Sequence, residues 1–281
     1  MKDFSGKTAV ITGAASGIGF ACARAFAQAG MAVALLDLRA DALAQAVEEL
    51  QTQGARAIGI LTDVSKHEPM TRAAEQIDRE FGNVHLVMNN AAVLLRGLAM
   101  EAVDDEAWNW ILGVNLYGVI HGIQTFVPRI RAHGEGGHVV NMASISGLLV
   151  GARQNGAYAT SKFAIMALSE ALAIDLAASN IGVSIVLPAA VNTDFYQTSA
   201  LHRGSIGGVN AHTQTPADTA AGMHPDEVAQ RVLAGVRDKQ FYIVTHTQTR
   251  FMVEERHARI MAAYAAAERW ERDHLSRKVE R

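Results

Sequence analysis

The chain has one cysteine, Cys22, among 281 residues, so no internal disulfide can form. A lone thiol on an apolar helical stretch reads as core packing rather than as a nucleophile, and such a composition suits a reducing cytosol. Basic residues are not in excess either. Lys and Arg number 25 against 28 Asp and Glu, a net charge of −3. A nucleic-acid or anionic-membrane surface therefore has no bulk electrostatic support. No uninterrupted apolar run approaches the roughly 18–20 residues of a membrane span. The start "MKDFSGKTAVITG" runs straight into a strand pattern, without a basic-then-apolar leader. Internal repeats and low-complexity linkers are also lacking. The expectation is a soluble cytoplasmic protein whose partner is a small molecule, neither nucleic acid nor membrane.

What is present is a globular composition, 49% hydrophobic and 19% charged. Short apolar runs rich in β-branched residues alternate with amphipathic stretches. The runs lie at 8–12, 32–38, 57–61, 85–90, 138–144, 183–188 and 241–245, and the helical stretches at 17–29, 40–53, 67–81, 104–132, 157–179 and 224–238. Several runs are apolar on both faces, as strands covered by helices must be. This alternation predicts an α/β doubly wound Rossmann fold in a single domain, a parallel sheet with helices on both faces. Ala189 to Met223 reads as a long irregular loop, of a length that is usually functional or mobile. The domain is expected to span 1–250, with 251–281 a charged helical tail packed on it.

"TGAASGIG" (12–19) links the first strand to the first helix. Gly13, Gly17 and Gly19 leave room for a pyrophosphate to approach the backbone and a helix N-terminus, with Ser16 and Ile18 beside it. Asp37 ends the next strand roughly 20 residues on, where dinucleotide folds hold a ribose-binding acid. A carboxylate accepts from ribose hydroxyls and repels a 2′-phosphate, which favours NAD over NADP. Arg39 alone points the other way.

"AYATSKFA" (157–164) puts Tyr158 and Lys162 four residues apart, on one face of a helix. Tyrosine, with a free pKa of about 10, is a poor base at neutral pH, and bringing it to about 7 needs about 4 kcal/mol of preference for the phenolate. A unit charge about 4 Å away supplies that much at an effective dielectric of about 20. Lys162 is such a charge.

With "TGAASGIG", Asp63 in "LTDV", "NNAA" (89–92), Asn115 in "GVNL", "NMASISG" (141–147), "YATSK" (158–162) and "LPAAVNT" (187–193) in this order, the chain resembles the classical short-chain dehydrogenases/reductases from Lys7 to about Thr245. The resemblance implies about seven strands and an active site of Asn115, Ser144, Tyr158 and Lys162. It implies that Asp63 and Val64 touch the adenine, that Asn90 borders the cofactor, and that Val191 and Thr193 hold the nicotinamide carboxamide. Lys162 would also reach the nicotinamide ribose, and Asn115 would hold a water linking Lys162 to solvent. Gly147 stands three residues after Ser144, the family spacing, which favours Ser144 over Ser146. Two glycines of the family pattern are replaced, by Ala92 and Ala189. Family members commonly form dimers or tetramers, here through 104–132 and 157–179, where Ile165, Met166, Leu168, Leu172 and Leu176 cover more than one side.

The eleven histidines are scattered without metal-ligand spacing, so no metal is expected; only His202 and His212 fall in the substrate loop. The pocket walls are expected to be Leu94, Leu95, Leu148 to Gln154 and 192–223, apolar but for Asp194, Arg153, Arg203 and Asp218. That composition favours a neutral secondary alcohol or its ketone. "MKDF", "FVPRI" and "FYIVTH" weakly resemble a subgroup that includes Cα-dehydrogenases of lignin-derived aryl ethers, which leaves a benzylic substrate open. Two other readings stand beside this one: a reductase of carrier-linked acyl ketones, and a nucleotide-sensing protein without catalysis.

Overall fold

The computed structural model describes residues 1–206 and 221–275. The chain divides into two units, Met1–Thr245 and His246–Arg281. In the first, strands β1 (Thr8–Thr12), β2 (Ala32–Asp37), β3 (Ala57–Leu61), β4 (Leu86–Asn89), β5 (Gly137–Met142), β6 (Ile181–Leu187) and β7 (Tyr242–Val244) form one sheet. Its order is β3-β2-β1-β4-β5-β6-β7, and every pairing is parallel. This is the doubly wound Rossmann sheet. Strand order reverses between β1 and β4, and a crevice opens beyond the C-terminal ends of the strands at such a point.

Both faces of the sheet are covered, which explains strands that are apolar throughout. Ile11, Val33 and Leu35 pack with Cys22 and Phe26 of α1 (Gly17–Gln28) and Leu43 of α2 (Ala40–Thr52). Their neighbours Val10, Ala34 and Leu36 point the other way, toward Ile77 of α3 (His67–Phe81) and Phe126 and Ile130 of α5 (Gly118–His133). Period-two alternation thus feeds two cores from one strand.

The long helix expected over 104–132 is α4 (Asp105–Leu112) and α5, joined by a π turn at Gly113–Tyr117. Asp104 caps it by accepting from Ala107 N. By length and composition Asp105–His133 could cross a membrane, with a mean hydropathy of 1.2 in its most apolar window, of which 44% is buried inside the fold. Ile111, Phe126 and Ile130 belong to the core, so this stretch is a core element. Helix α6 (Gly156–Asp175) stops short of the expected 179. There Ser179 Oγ donates to Leu176 O and accepts from Ile181 N, turning the chain into β6.

The segment read as an irregular loop contains a helix, α7 (Phe195–Arg203), which ends at Gly204 with a φ of 57°. At the base of the segment Asn192 N donates to Met223 O and Met223 N to Ala190 O. Gly207, Gly208, His212 and Asp218 lie outside the described residues. After α8 (Pro225–Arg237) and β7 comes the second unit. It holds a short 3-10 turn, Thr247–Thr249, and α9 (Arg250–Leu275), none of whose residues is buried.

Candidate active site

The turn after β1 is shaped by what it cannot accommodate. A Cβ on Gly13 would lie 2.8 Å from Ala91 Cα, and one on Gly19 would lie 2.2 Å from Gly13 O. Gly13 and Gly17 also have φ of 62° and 57°, where only glycine is unstrained. Asn90 locks this turn to the end of β4, its Nδ2 donating to Thr12 O and Gly13 O. Thr12 completes the joint: its Oγ1 accepts from Asn90 N and Ala91 N and donates to Met88 O. On the other side a Gly17 Cβ would sit 3.2 Å from Thr193 Cγ2, so the segment after β6 comes against the same turn. Val191, beside it, is buried. The result is a backbone-lined cradle at a helix N-terminus, which fits a pyrophosphate.

Asp37 ends β2 next to that cradle and is 6% exposed. Its Oδ2 accepts from Ala15 N, and its Oδ1 from Arg39 N and Nε. Arg39 also donates to Ser16 Oγ at 2.8 Å, spanning cradle and acid. Arg39 stands out little in the sequence, yet it lies on the expected ribose ligand. At Asp63, burial pulls the carboxyl upward, but the Ser65 hydroxyl and amide and the nearby Lys66 outweigh it and hold the pKa below the usual range. Val64 is buried, and its carbonyl accepts from His121 Nδ1.

The four residues expected to be catalytic meet beyond the ends of β4 and β5. Ser144 is extended, with a φ of −173°, at the end of β5. Its hydroxyl favours ionisation of the Tyr158 phenol and donates to Pro188 O. Ser146 instead gives its backbone N–H to Ser144 Oγ. Of the two serines, Ser144 is the one aimed at the tyrosine. Gly147 matters here as well, since a Cβ would lie 2.8 Å from Lys162 O. Lys162 is 1% exposed and donates to Met142 O, with Nζ 5.5 Å from the Tyr158 ring centroid. Asn115, fully buried in the π turn, accepts from Val93 N and donates to Val93 O and Ser161 Oγ. Ser161 in turn donates to Tyr158 O. Both amide hydrogens of Asn115 are therefore committed to protein, and a water could meet its side chain only at the remaining lone pair of Oδ1. Thr160 back-bonds to Gly156 O on the exposed side.

Burial acts on both members of the Tyr158–Lys162 pair in the direction that favours neutrality. It raises the Tyr158 phenol, the Ser144 bond working against it and Tyr196 with it. It lowers the Lys162 ammonium to about 7. A positive Lys162 at 5.5 Å favours the phenolate by ~3 kcal/mol at an effective dielectric of about 20. That is short of the about 4 kcal/mol a neutral-pH base requires, before the opposing effect of burial is added.

Residues 7–203 match the short chain dehydrogenase family. The chain belongs to this family. It is 34% identical over 275 residues to the C alpha-dehydrogenase of Sphingobium sp. strain SYK-6, covering 95% of this chain and 90% of that one. The 1-deoxy-11-beta-hydroxypentalenate dehydrogenase of Streptomyces avermitilis is 35% identical over 246 residues, 86% of each chain. Among solved structures, a short chain dehydrogenase/reductase from Burkholderia phymatum in complex with NAD superposes with a TM-score of 0.87. It is 34% identical and covers 94% of this chain and 97% of that chain.

In this short-chain dehydrogenase a small core cluster of Val93, Leu95, Leu98 and Ala157 packs beside the site, with Trp108, Tyr158 and Ile206 against it. Leu94 N donates to Ser199 Oγ of α7, and the Phe195 ring lies 6.3 Å from that of Tyr158. Of the expected wall residues, Val150, Arg153 and Leu201 are exposed, as is His202. Arg96 was not among the expected walls. Its Nη1 donates to the Tyr196 hydroxyl at 2.9 Å, beside the site.

Two other groups stand apart from the chemistry. Burial pushes the Cys22 thiol up, which leaves it inert. His85, His133 and Glu135 bring ligand atoms within 4.8 Å of one another, a gathering the sequence spacing did not reveal. His85 Nδ1 accepts from Thr8 N, so its proton is on Nε2, facing Glu135 at 2.9 Å. His133 donates from Nε2 to Val84 O and accepts at Nδ1 from Glu135 N. A cation on His85 Nε2 would drive that proton onto Nδ1, against the Thr8 N–H. The chemistry is that of a hydrogen-bonded clasp.

Proposed function

We propose that this short-chain dehydrogenase interconverts a secondary alcohol and its ketone with NAD, Tyr158 serving as the general acid and base. The observation that carries the reading is buried Lys162 one turn along from Tyr158, its Nζ 5.5 Å from the ring centroid, with Ser144 favouring ionisation of the same phenol. NAD would be held by Gly13, Ser16, Gly17, Ile18 and Gly19 at the pyrophosphate and by Asp37 at the ribose. Asp63 and Val64 would flank the adenine, and Asn90, Val191, Thr193 and Lys162 the nicotinamide end. When bound, the nicotinamide supplies the acceptor for the hydride that leaves the carbinol carbon. Tyr158 takes the hydroxyl proton in that step and returns it in the reverse direction. Ser144 hydrogen-bonds the reacting oxygen and stabilises the charge that develops on it. Lys162 holds the phenolate electrostatically. Its neighbour Asn115 keeps the helix turn bearing Tyr158 in register, through Ser161. A dissociable nicotinamide ties the enzyme to the cytoplasm, and the long helices α5 and α6 favour a homodimer or homotetramer.

NAD rather than NADP is supported by Asp37, whose carboxylate repels a 2′-phosphate and already neutralises Arg39. A titration with NADH and NADPH, followed by fluorescence, tests this together with kcat/KM for each cofactor. NAD should be preferred, and Asp37→Ala should erode the preference by about tenfold or more, the loss of one charge-assisted hydrogen bond. Equal use of both cofactors by the unaltered enzyme would overturn the assignment.

A further inference from the structure

The sequence favoured an uncharged substrate because the expected walls held Arg153 and Arg203 but no cluster of cations. Arg96 changes that premise. It follows β4 on the segment that Asn115 and Ser199 fasten over the site, through Val93 and Leu94. Its guanidinium donates to the Tyr196 hydroxyl and lies 6.0 Å from that ring's centroid. The Phe195 ring lies between, 6.3 Å from that of Tyr158 and 6.4 Å from that of Tyr196, so one aromatic row links Arg96 to the tyrosine of the site.

No carboxylate among the described residues pairs with Arg96. Nor does one pair with Arg203, which is 9% exposed with its Nε unpartnered. Tyr196, Ser199 and Arg203 are spaced three and four apart on α7 and share a face. Ser199 turns that face toward Leu94. The Arg96 guanidinium thus stands on that side of the site, paired with no carboxylate among the described residues. A partly buried guanidinium held only by a neutral hydroxyl gains from an anionic ligand. The planar fork of Arg suits a carboxylate. With no lysine beside it, a monoanion balances Arg96 better than a phosphate. The rest of the wall is apolar.

Resting on the proposed alcohol chemistry, we propose that Arg96 is a specificity-determining residue that binds a carboxylate on the substrate, an apolar hydroxy acid whose acid group stands away from the carbinol. The test compares hydroxystearate and hydroxycyclohexanecarboxylate with their methyl esters, and includes cyclohexanol, by NADH formation. For at least one pair the acid should exceed its ester in kcat/KM by about tenfold or more. Arg96→Leu should collapse that ratio and Arg96→Lys should keep part of it. An enzyme that takes each ester as well as its acid overturns the inference, and that comparison needs no variant. Equal losses on acid and ester in Arg96→Leu overturn it too. Turnover of cyclohexanol or an ester without any acid preference leaves the alcohol chemistry standing and removes only the role of Arg96. If no alcohol reduces NAD, the underlying reading falls and this one with it.

Discussion

Lys162 shows how a single side chain links stability to chemistry. Its pKa is lowered by burial to about 7 from an ordinary 10.5. Between those values the unfolded chain binds more protons at this position than the folded one, so stability rises with pH across that window. The folded protein is most disfavoured by Lys162 below about 7, where the ammonium is charged in both states. Lys162→Met removes this dependence. Denaturant titrations of the cofactor-free protein should find the variant more stable than the parent near neutral pH and the gap narrowing toward pH 10. A gap constant with pH would contradict the burial argument. At this same scale the sequence was most informative where a residue type is dictated by chemistry. Tyr158 and Lys162 share a helix face as their spacing requires, and Gly13 and Gly19 are where a Cβ cannot fit. Arg39 and Arg96 were passed over because a guanidinium's partner is fixed by the fold: one reaches back across β2 to Ser16, the other across to α7.

Elements were legible in proportion to how far their pattern is local. Strands buried on both faces declared themselves as apolar runs, and their alternation with helices gave the sheet. The π turn at Gly113–Tyr117 did not, because one extra residue in a helix leaves the apolar pattern nearly intact while turning Asn115 inward. Helix α7 was missed for a different reason: Phe195–Arg203 has few apolar residues and no side-chain cap, and its tie through Ser199 comes from Leu94, distant in the chain. The joint between β1 and β4 shows what such ties hold. Thr12 is 2% exposed, and its hydroxyl satisfies the N–H groups of both Asn90 and Ala91. Thr12→Val keeps the shape and leaves two partly buried donors without this partner, at up to about 1–3 kcal/mol each. We expect that destabilisation in chemical denaturation, together with weaker NAD binding as the glycine turn loses its anchor. Wild-type stability and NAD affinity in Thr12→Val would show that the joint does not set the cradle.

For the whole molecule, oligomerisation was argued from apolar residues on the helix over 157–179, and the structure reassigns most of them. Ile165, Met166, Leu172 and Leu176 are core residues of one chain. The apolar side chains exposed on these helices are Tyr117 and Ile174, at 53% and 76%. A homo-oligomer formed through α5 and α6 must cover these two. Light scattering at micromolar concentration should give a dimer or tetramer mass, and Ile174→Glu should lower it. A monomer mass for the parent would contradict the assembly.

The central claim is that Tyr158 moves the substrate proton while the cradle binds NAD independently of it. The most direct measurement pairs NAD affinity with turnover of a secondary alcohol in the parent enzyme and in Tyr158→Phe. The variant is expected to bind NAD within a few-fold of the parent and to lose turnover by orders of magnitude, since only the proton acceptor is removed. Near-normal turnover by Tyr158→Phe, with NAD bound, would contradict it.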